Sequence, residues 1–240
     1  MTKTNSQLPV ETILPELDQA LASSRTVVLQ APPGSGKTTR VPLALLDGRW
    51  LEDRRILMLE PRRLAATNVA RYMASLRNEP VGGTIGYTIR YERKVGPKTK
   101  LEVMTEGLLP RPMQHDPELT GVGLVIFDEY HERSLQADLA LALCRDIQQG
   151  LRDDLRILIM SATLDAGPLA KLLGNCPVIS TTGRAFPVAI SHLAEASRYQ
   201  IAEVTAAGIR HAIKETGGDI LAFLPGTGEI HRCGNLLNDL

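Results

Sequence analysis

The sequence predicts an α/β fold with a mostly parallel sheet, and three observations carry that expectation. Short apolar runs of strand length, at Thr26 to Leu29, Arg55 to Glu60, Val122 to Phe127 and Leu155 to Met160, alternate with longer segments of helical period. The stretch APPGSGKTT, Ala31 to Thr39, follows the first run and opens a helix-compatible segment. The third run ends in Asp128 and Glu129, at the C-terminal end of a strand, where an open parallel sheet places its ligand site.

Taken in order, Val10, Ile13, Leu14, Leu17 and Leu21 fall near a helical period, with Pro9 suited to a first turn, so a helix over Pro9 to Ala22 precedes the first strand. After the loop a second helix runs from Thr39 to Leu46, with Pro42 in its opening turns. RILMLE, Arg55 to Glu60, reads as a buried strand ended by Pro61, with a helix from Arg62 to Leu76 behind it. Gly82 to Thr105 holds two β-prone pieces flanking a turn at Gly96-Pro97, with a basic excess between Arg90 and Lys100 that fits a solvated hairpin or a phosphate-contacting surface.

VGLVIF, Val122 to Phe127, is the next buried strand, and a helix from Gln136 to Gln148 leads to LRILIM, Leu155 to Met160. Ser161 and Thr163 follow; on local grounds their hydroxyls cap a helix beginning near Asp165. Beyond Cys176 come short strands at Pro177 to Ser180 and Ile190 to Leu193, a helix near Tyr199 to Thr216 and a strand at Asp219 to Leu224. These last pieces resemble the opening βαβ portion of a second unit.

The 240 residues suffice for one large domain or two smaller ones. A formal net charge of +0 removes any global electrostatic argument for nucleic acid, so that argument must come from local patches. Cys144, Cys176 and Cys233 stand far apart without metal-ligand spacing and read as reduced thiols. With no signal-peptide pattern at the N-terminus and no run near the ~18 apolar residues of a membrane span, a cytoplasmic protein with no membrane partner is expected. His115, His192, His211 and His231 share no spacing and read as ordinary surface or core, and Trp50 reads as packing.

The loop carries the clearest chemistry. Small residues let successive backbone N–H groups turn towards one anion while the following helix points its positive end at the same place. Lys37 then reaches the β- and γ-phosphates of a nucleotide and the Thr38 hydroxyl ligates Mg²⁺. Asp128 would hold the same metal, partly through water, and Glu129 would orient or deprotonate the attacking water.

In sequence order these motifs resemble the DEAH-box helicases of superfamily two, and most closely their bacterial HrpB group. APPGSGKTT looks like motif I, LEPRRLAA (Leu59 to Ala66) like motif Ia, and MTEGLL (Met104 to Leu109) like motif Ib. DEYHERSL (Asp128 to Leu135) is similar to motif II, and SAT (Ser161 to Thr163) to motif III. GRAFPV (Gly183 to Val188) and FLPGTGEI (Phe223 to Ile230) resemble the entry to the second RecA-like domain and motif IV. The resemblance implies a RecA-like P-loop NTPase domain over residues 1–182 and the beginning of a second over 183–240.

It also implies roles. ATP and Mg²⁺ would be cradled by Gly34, Ser35, Gly36, Lys37, Thr38 and Thr39, with Thr38 and Asp128 on the metal. Lys37, Asp128, Glu129 and His131 would form the catalytic group, with His131 sensing nucleotide state and Ser161 and Thr163 relaying it. Arg62, Arg63 and Thr105 would contact the backbone of a single-stranded nucleic acid, RNA for preference. The remainder of the chain's own second RecA-like and C-terminal domains would be its partner.

Three features depart from the family pattern. Tyr130 stands where the family has Ala and reads as packing. Pro110 and Pro112 interrupt the helix expected after motif Ib. The sequence ends before anything like motifs V and VI, whose arginine fingers can be worth ~10³ to 10⁵ in rate, so this stretch by itself is expected to be a weak ATPase. A nucleotide-binding switch that recruits partners without unwinding is the alternative reading, separable by whether a QxxGRxGR-like continuation follows Leu240. A P-loop kinase or transporter ATPase is disfavoured by the Arg62-Arg63 pair, the DEYH box and the SAT tripeptide.

Overall fold

In the computed structural model, which describes residues 8–162, 166–182, 187–192 and 200–238, the apolar runs become strands. They are β1 (Thr26–Gln30), β2 (Arg55–Glu60), β3 (Ile85–Ile89), β4 (Glu92–Lys94), β5 (Leu101–Thr105), β6 (Val122–Phe127), β7 (Arg156–Ser161) and β8 (Val178–Ser180). One sheet results, in the order β4-β3-β5-β2-β6-β7-β1-β8, and every neighbouring pair is parallel except β3 with β4.

The inner strands are apolar on both faces because both faces are covered. Val27 and Leu29, Ile56 and Met58, and Leu158 and Met160 belong to one core, together with residues of helices α1 (Leu14–Ser23), α2 (Lys37–Leu45) and α3 (Arg63–Leu76). The alternate residues Val28, Leu57, Val125 and Ile159 belong to a second core with α5 (Leu135–Gly150) and α6 (Ala166–Leu172). The short helix α4 (Pro110–His115) packs against that second core through Met113.

Local differences from the sequence reading have physical causes. Residues Pro9–Ile13 form a 3-10 turn ahead of α1. The hairpin turn lies at Arg90-Tyr91, with Tyr91 at φ 74°. The turn at Gly96-Pro97 also forms, the Thr99 N–H donating to the Gly96 carbonyl at 3.1 Å, but it joins β4 to β5, which do not pair. Leu101–Thr105 is buried on both faces and therefore takes an interior place between β3 and β2, leaving the charged Glu92–Lys94 at the edge. Pro110 and Pro112 do not prevent a helix; they fall in the first turn of α4, where the missing N–H groups have no intrahelical acceptor to lose.

The packing divides the chain into a unit up to residue 185 and a smaller unit from 186 to 240. In the smaller unit α7 (Ile201–Glu215) packs on α8 (Thr227–Leu236) through Ala202, Ala206 and Cys233. The strand expected at Asp219 to Leu224 does not form, and Leu221 and Phe223 stand 79% and 86% exposed. No neighbouring strand among the described residues offers it backbone partners. Residues 190–192 are likewise without regular structure, whereas Leu193 and Tyr199 lie outside the described residues.

Candidate functional site

The functional side chains gather where β1, β2, β5, β6 and β7 end. After Gln30 the chain turns through Gly34 at φ 74° and Gly36 at φ 92°, left-handed positions that glycine occupies without strain. A Cβ at Gly34 would meet nothing within 4 Å, so the loop borders open space there. At Gly36 a Cβ would lie 2.8 Å from Leu8 Cδ1. The N-terminal turn backs the loop from that side: the Val10 N–H donates to the Ser35 carbonyl at 3.2 Å, and Glu11 pairs with Arg40 at 3.3 Å.

Helix α2 begins at Lys37, so its first N–H groups lack intrahelical acceptors and face the same region. Lys37 is only 4% exposed, and its Nζ lies 3.0 Å from Glu129 Oε1. Thr38 and Thr39 follow on the first turn, half-buried.

Asp128 is the residue after β6, and its own N–H donates to the Leu59 carbonyl of β2 at 3.0 Å. Its side chain is 1% exposed; Oδ1 accepts from the Glu129 N–H at 2.8 Å, and Oδ2 has no hydrogen-bond partner. Burial raises its pKa, against the opposing influence of the Thr38 hydroxyl. Glu129 adopts φ 47°, an uncommon region for a residue with a Cβ, and this backward turn directs the next residues across the sheet edge.

His131 Nδ1 lies 3.4 Å from the Ala162 N–H and 3.4 Å from Glu129 Oε2. One ring nitrogen cannot accept from the first and donate to the second at once, so Nδ1 serves either the Ala162 N–H or Glu129. Ser161 ends β7 with its side chain buried, and its carbonyl accepts from the Ala31 N–H at 2.9 Å. Thr163 lies outside the described residues, as do residues 183–186 of the GRAFPV stretch.

Arg62 and Arg63 follow β2 and are exposed, Arg62 in a 2.9 Å ion pair with Glu132. Thr105 ends β5, in register with Glu60, so all three proposed backbone-contacting residues lie along one edge. Tyr130 is buried, edge-on to Phe127 at 6.2 Å, with its hydroxyl donating to Asp138 at 2.7 Å. Trp50 is also packed, and its indole N–H donates to Asp18 at 2.7 Å.

Sequence reasoning passed over Glu60. It ends β2 beside Asp128, is 2% exposed, and leaves Oε1 without a partner. Burial, then the neighbouring Asp128 carboxylate, pushes its pKa up to about 9. The signal was available, since Glu60 closes an apolar strand just as Asp128 does. Among the described residues no group of three or more His, Cys, Asp or Glu side chains could hold a metal, so a cation at Asp128 needs further oxygen ligands from elsewhere.

Comparison with known proteins accords with this geometry. The DEAD/DEAH box helicase family matches residues 13–172. The chain is 52% identical over 227 residues to the ATP-dependent RNA helicase HrpB of Escherichia coli (strain K12), covering 95% of this chain and 28% of that protein. It is 34% identical over 237 residues to the ATP-dependent RNA helicase HrpA of Borreliella burgdorferi, covering 98% and 29%. The crystal structure of the Escherichia coli DEAH/RHA helicase HrpB superposes with a TM-score of 0.90 at 51% identity, over 97% of this chain and 30% of that one. The chain therefore spans less than a third of the length of these relatives.

Proposed function

The chain belongs to the DEAD/DEAH box helicase family, and from that premise we propose that its RecA-like α/β unit is the nucleotide-binding wall of an ATP-dependent RNA helicase. The observation that carries the reading is the convergence, at one end of the sheet, of the left-handed glycine loop, the buried Lys37 and the Asp128-Glu129 pair. RNA is the substrate of choice because both relatives bear the name of RNA helicases. Residues 1–182 form the first RecA-like domain in this reading, and residues 183–240 begin the second. The cytoplasm is its compartment, a reading supported by three free thiols.

The residues fit Mg·ATP. Asp128 Oδ2 is buried and without a partner, and Thr38 offers a hydroxyl nearby; these are two of the hard oxygen donors Mg²⁺ takes, the others to come from phosphate and water. Bound there, the metal's chemistry is charge neutralisation at phosphoryl oxygens. Gly34, Ser35, Gly36 and Thr39 would border the phosphates, with the Ser35 and Thr39 N–H groups donating to the Pro32 and Gly36 carbonyls at 3.2 Å to hold the loop, and Lys37 would exchange Glu129 for a phosphate oxygen. Glu129, once released, accepts a proton from the attacking water.

His131 would change partner between Glu129 and Ala162, passing the state of the site to the Ser161 and Thr163 segment. Arg62, Arg63 and Thr105 would grip sugar and phosphate, which suits movement along a strand regardless of its bases.

The test compares ATP turnover by this chain and by a protein extended to the length of its relatives, each with single-stranded RNA, single-stranded DNA or neither. The reading expects strong RNA stimulation in the extended protein and weak turnover in this chain. Equal, RNA-stimulated turnover in both would show that no second wall is needed and would reject it.

A further inference from the structure

On the second face of the sheet the covering layer is incomplete. Helix α5 packs with the middle strands, and residues of β2, β3 and β5 line a cavity together with the six-residue α4. That cavity measures about 350 Å³, within the range of small-molecule sites.

Its apolar wall comes from Leu57, Met104, Leu119 and Val122. Three arginines, Arg55, Arg93 and Arg111, also line it. Among the described residues no ion pair joins Arg93 or Arg111 to a carboxylate, and both are exposed at the rim. Two carboxylates belong to the same cavity, Glu102 and Asp116.

Glu102 is 5% exposed, accepts from the Thr88 hydroxyl at 2.6 Å, and lies 3.7 Å from Arg55 Nη1. Glu102 is matched by Arg55 and Thr88, and Asp116 Oδ2 accepts from the Thr120 N–H and hydroxyl, both at 2.9 Å, which leaves Arg93 and Arg111 as the cations without a carboxylate partner. An apolar wall with two uncommitted cations at its rim selects one kind of occupant.

We propose that this cavity is a binding site for a small organic anion with a flat apolar body, its charged group held by Arg93 and Arg111 and its body on Leu57, Met104 and Leu119. The cavity starts at the N-terminal ends of β2, β5 and β6, at Arg55, Glu102 and Val122, and reaches Met104 and Ile89 towards the other ends of β5 and β3. It stands independently of the nucleotide reading.

The probe is anilinonaphthalene sulfonate, an aromatic anion, titrated by fluorescence into the chain alongside its uncharged analogue phenylnaphthylamine. Saturable binding is expected, weakened about tenfold or more in Arg93→Ala/Arg111→Ala with the melting temperature unchanged. Glu102→Gln should tighten it, because the amide still accepts from Thr88 while the repelling charge is gone. Phe223→Asp, which removes an exposed apolar group from the other unit, should leave the affinity as it was.

Equal affinity in the double arginine variant, equal affinity of the uncharged analogue, weakening by Glu102→Gln, or loss on Phe223→Asp would each overturn the proposal.

Discussion

Lys37 Nζ and Glu129 Oε1 are 3.0 Å apart, so the cation of the glycine loop is neutralised by the carboxylate that follows the buried Asp128. A phosphate entering the loop must compete with Glu129 for Lys37. Replacing that carboxylate has two opposite consequences. Glu129→Gln should bind Mg·ATP more tightly than the parent and hydrolyse it about 10²-fold more slowly or worse. A fluorescent-nucleotide titration and a single-turnover assay read the two effects separately, and weaker binding in the variant would show that the ion pair does not oppose the nucleotide.

Glu60 gives a pH signature. Its folded pKa of about 9 lies above the ordinary value of 4.5, so the folded state binds the proton more tightly than the unfolded chain. Stability should therefore fall as pH rises from about 4.5 towards about 9, with a slope from this group of at most about 1.4 kcal/mol per pH unit. Glu60→Gln should match the parent near the acid end and exceed it in stability at the alkaline end, in melts without metal or nucleotide. Asp128, raised in the same sense, leaves a residual slope in the variant. Parallel curves for parent and variant would contradict the assignment.

Tyr130 tests the packing role of the residue that departs from the family pattern. Tyr130→Phe removes the hydroxyl bonded to Asp138 and should cost about 1 kcal/mol. Tyr130→Ala also removes the ring set against Phe127 and should cost about 3 kcal/mol or more. Urea unfolding measures both, and equal losses would mean that the ring contributes little.

Arg62 is exposed and paired only at the surface, so Arg62→Ala should change stability by less than about 1 kcal/mol. Its proposed work lies on RNA: the variant should bind single strands of any sequence more weakly, with a salt slope shallower by about one. An unchanged salt slope would remove Arg62 from the backbone contacts.

Much of this molecule is legible locally. Strand length, two-sided apolarity and the glycine loop predict β1, β2, β6, β7 and the helices between them, and the acidic end of Val122 to Phe127 points to Asp128 and Glu129. The turn at Gly96-Pro97 forms because its loop chemistry is local, whereas the burial of Leu101 and Val103 that sends β5 to the interior, away from β4, is not legible locally. The Asp219 to Leu224 strand failed for the same reason, since strand propensity supplies no neighbour to pair with.

By itself, then, the sequence determined the elements, the phosphate-binding loop and the family, because these depend on residues close together in the chain. Only the tertiary structure decided which strand ends share an edge. It set Glu60 beside Asp128, brought the Val10 N–H to the Ser35 carbonyl, placed His131 between Glu129 and Ala162, and left the arginine-lined cavity under a short α4. Those relations follow from strand order and layer coverage, which are fixed by the burial of residues remote from one another along the chain.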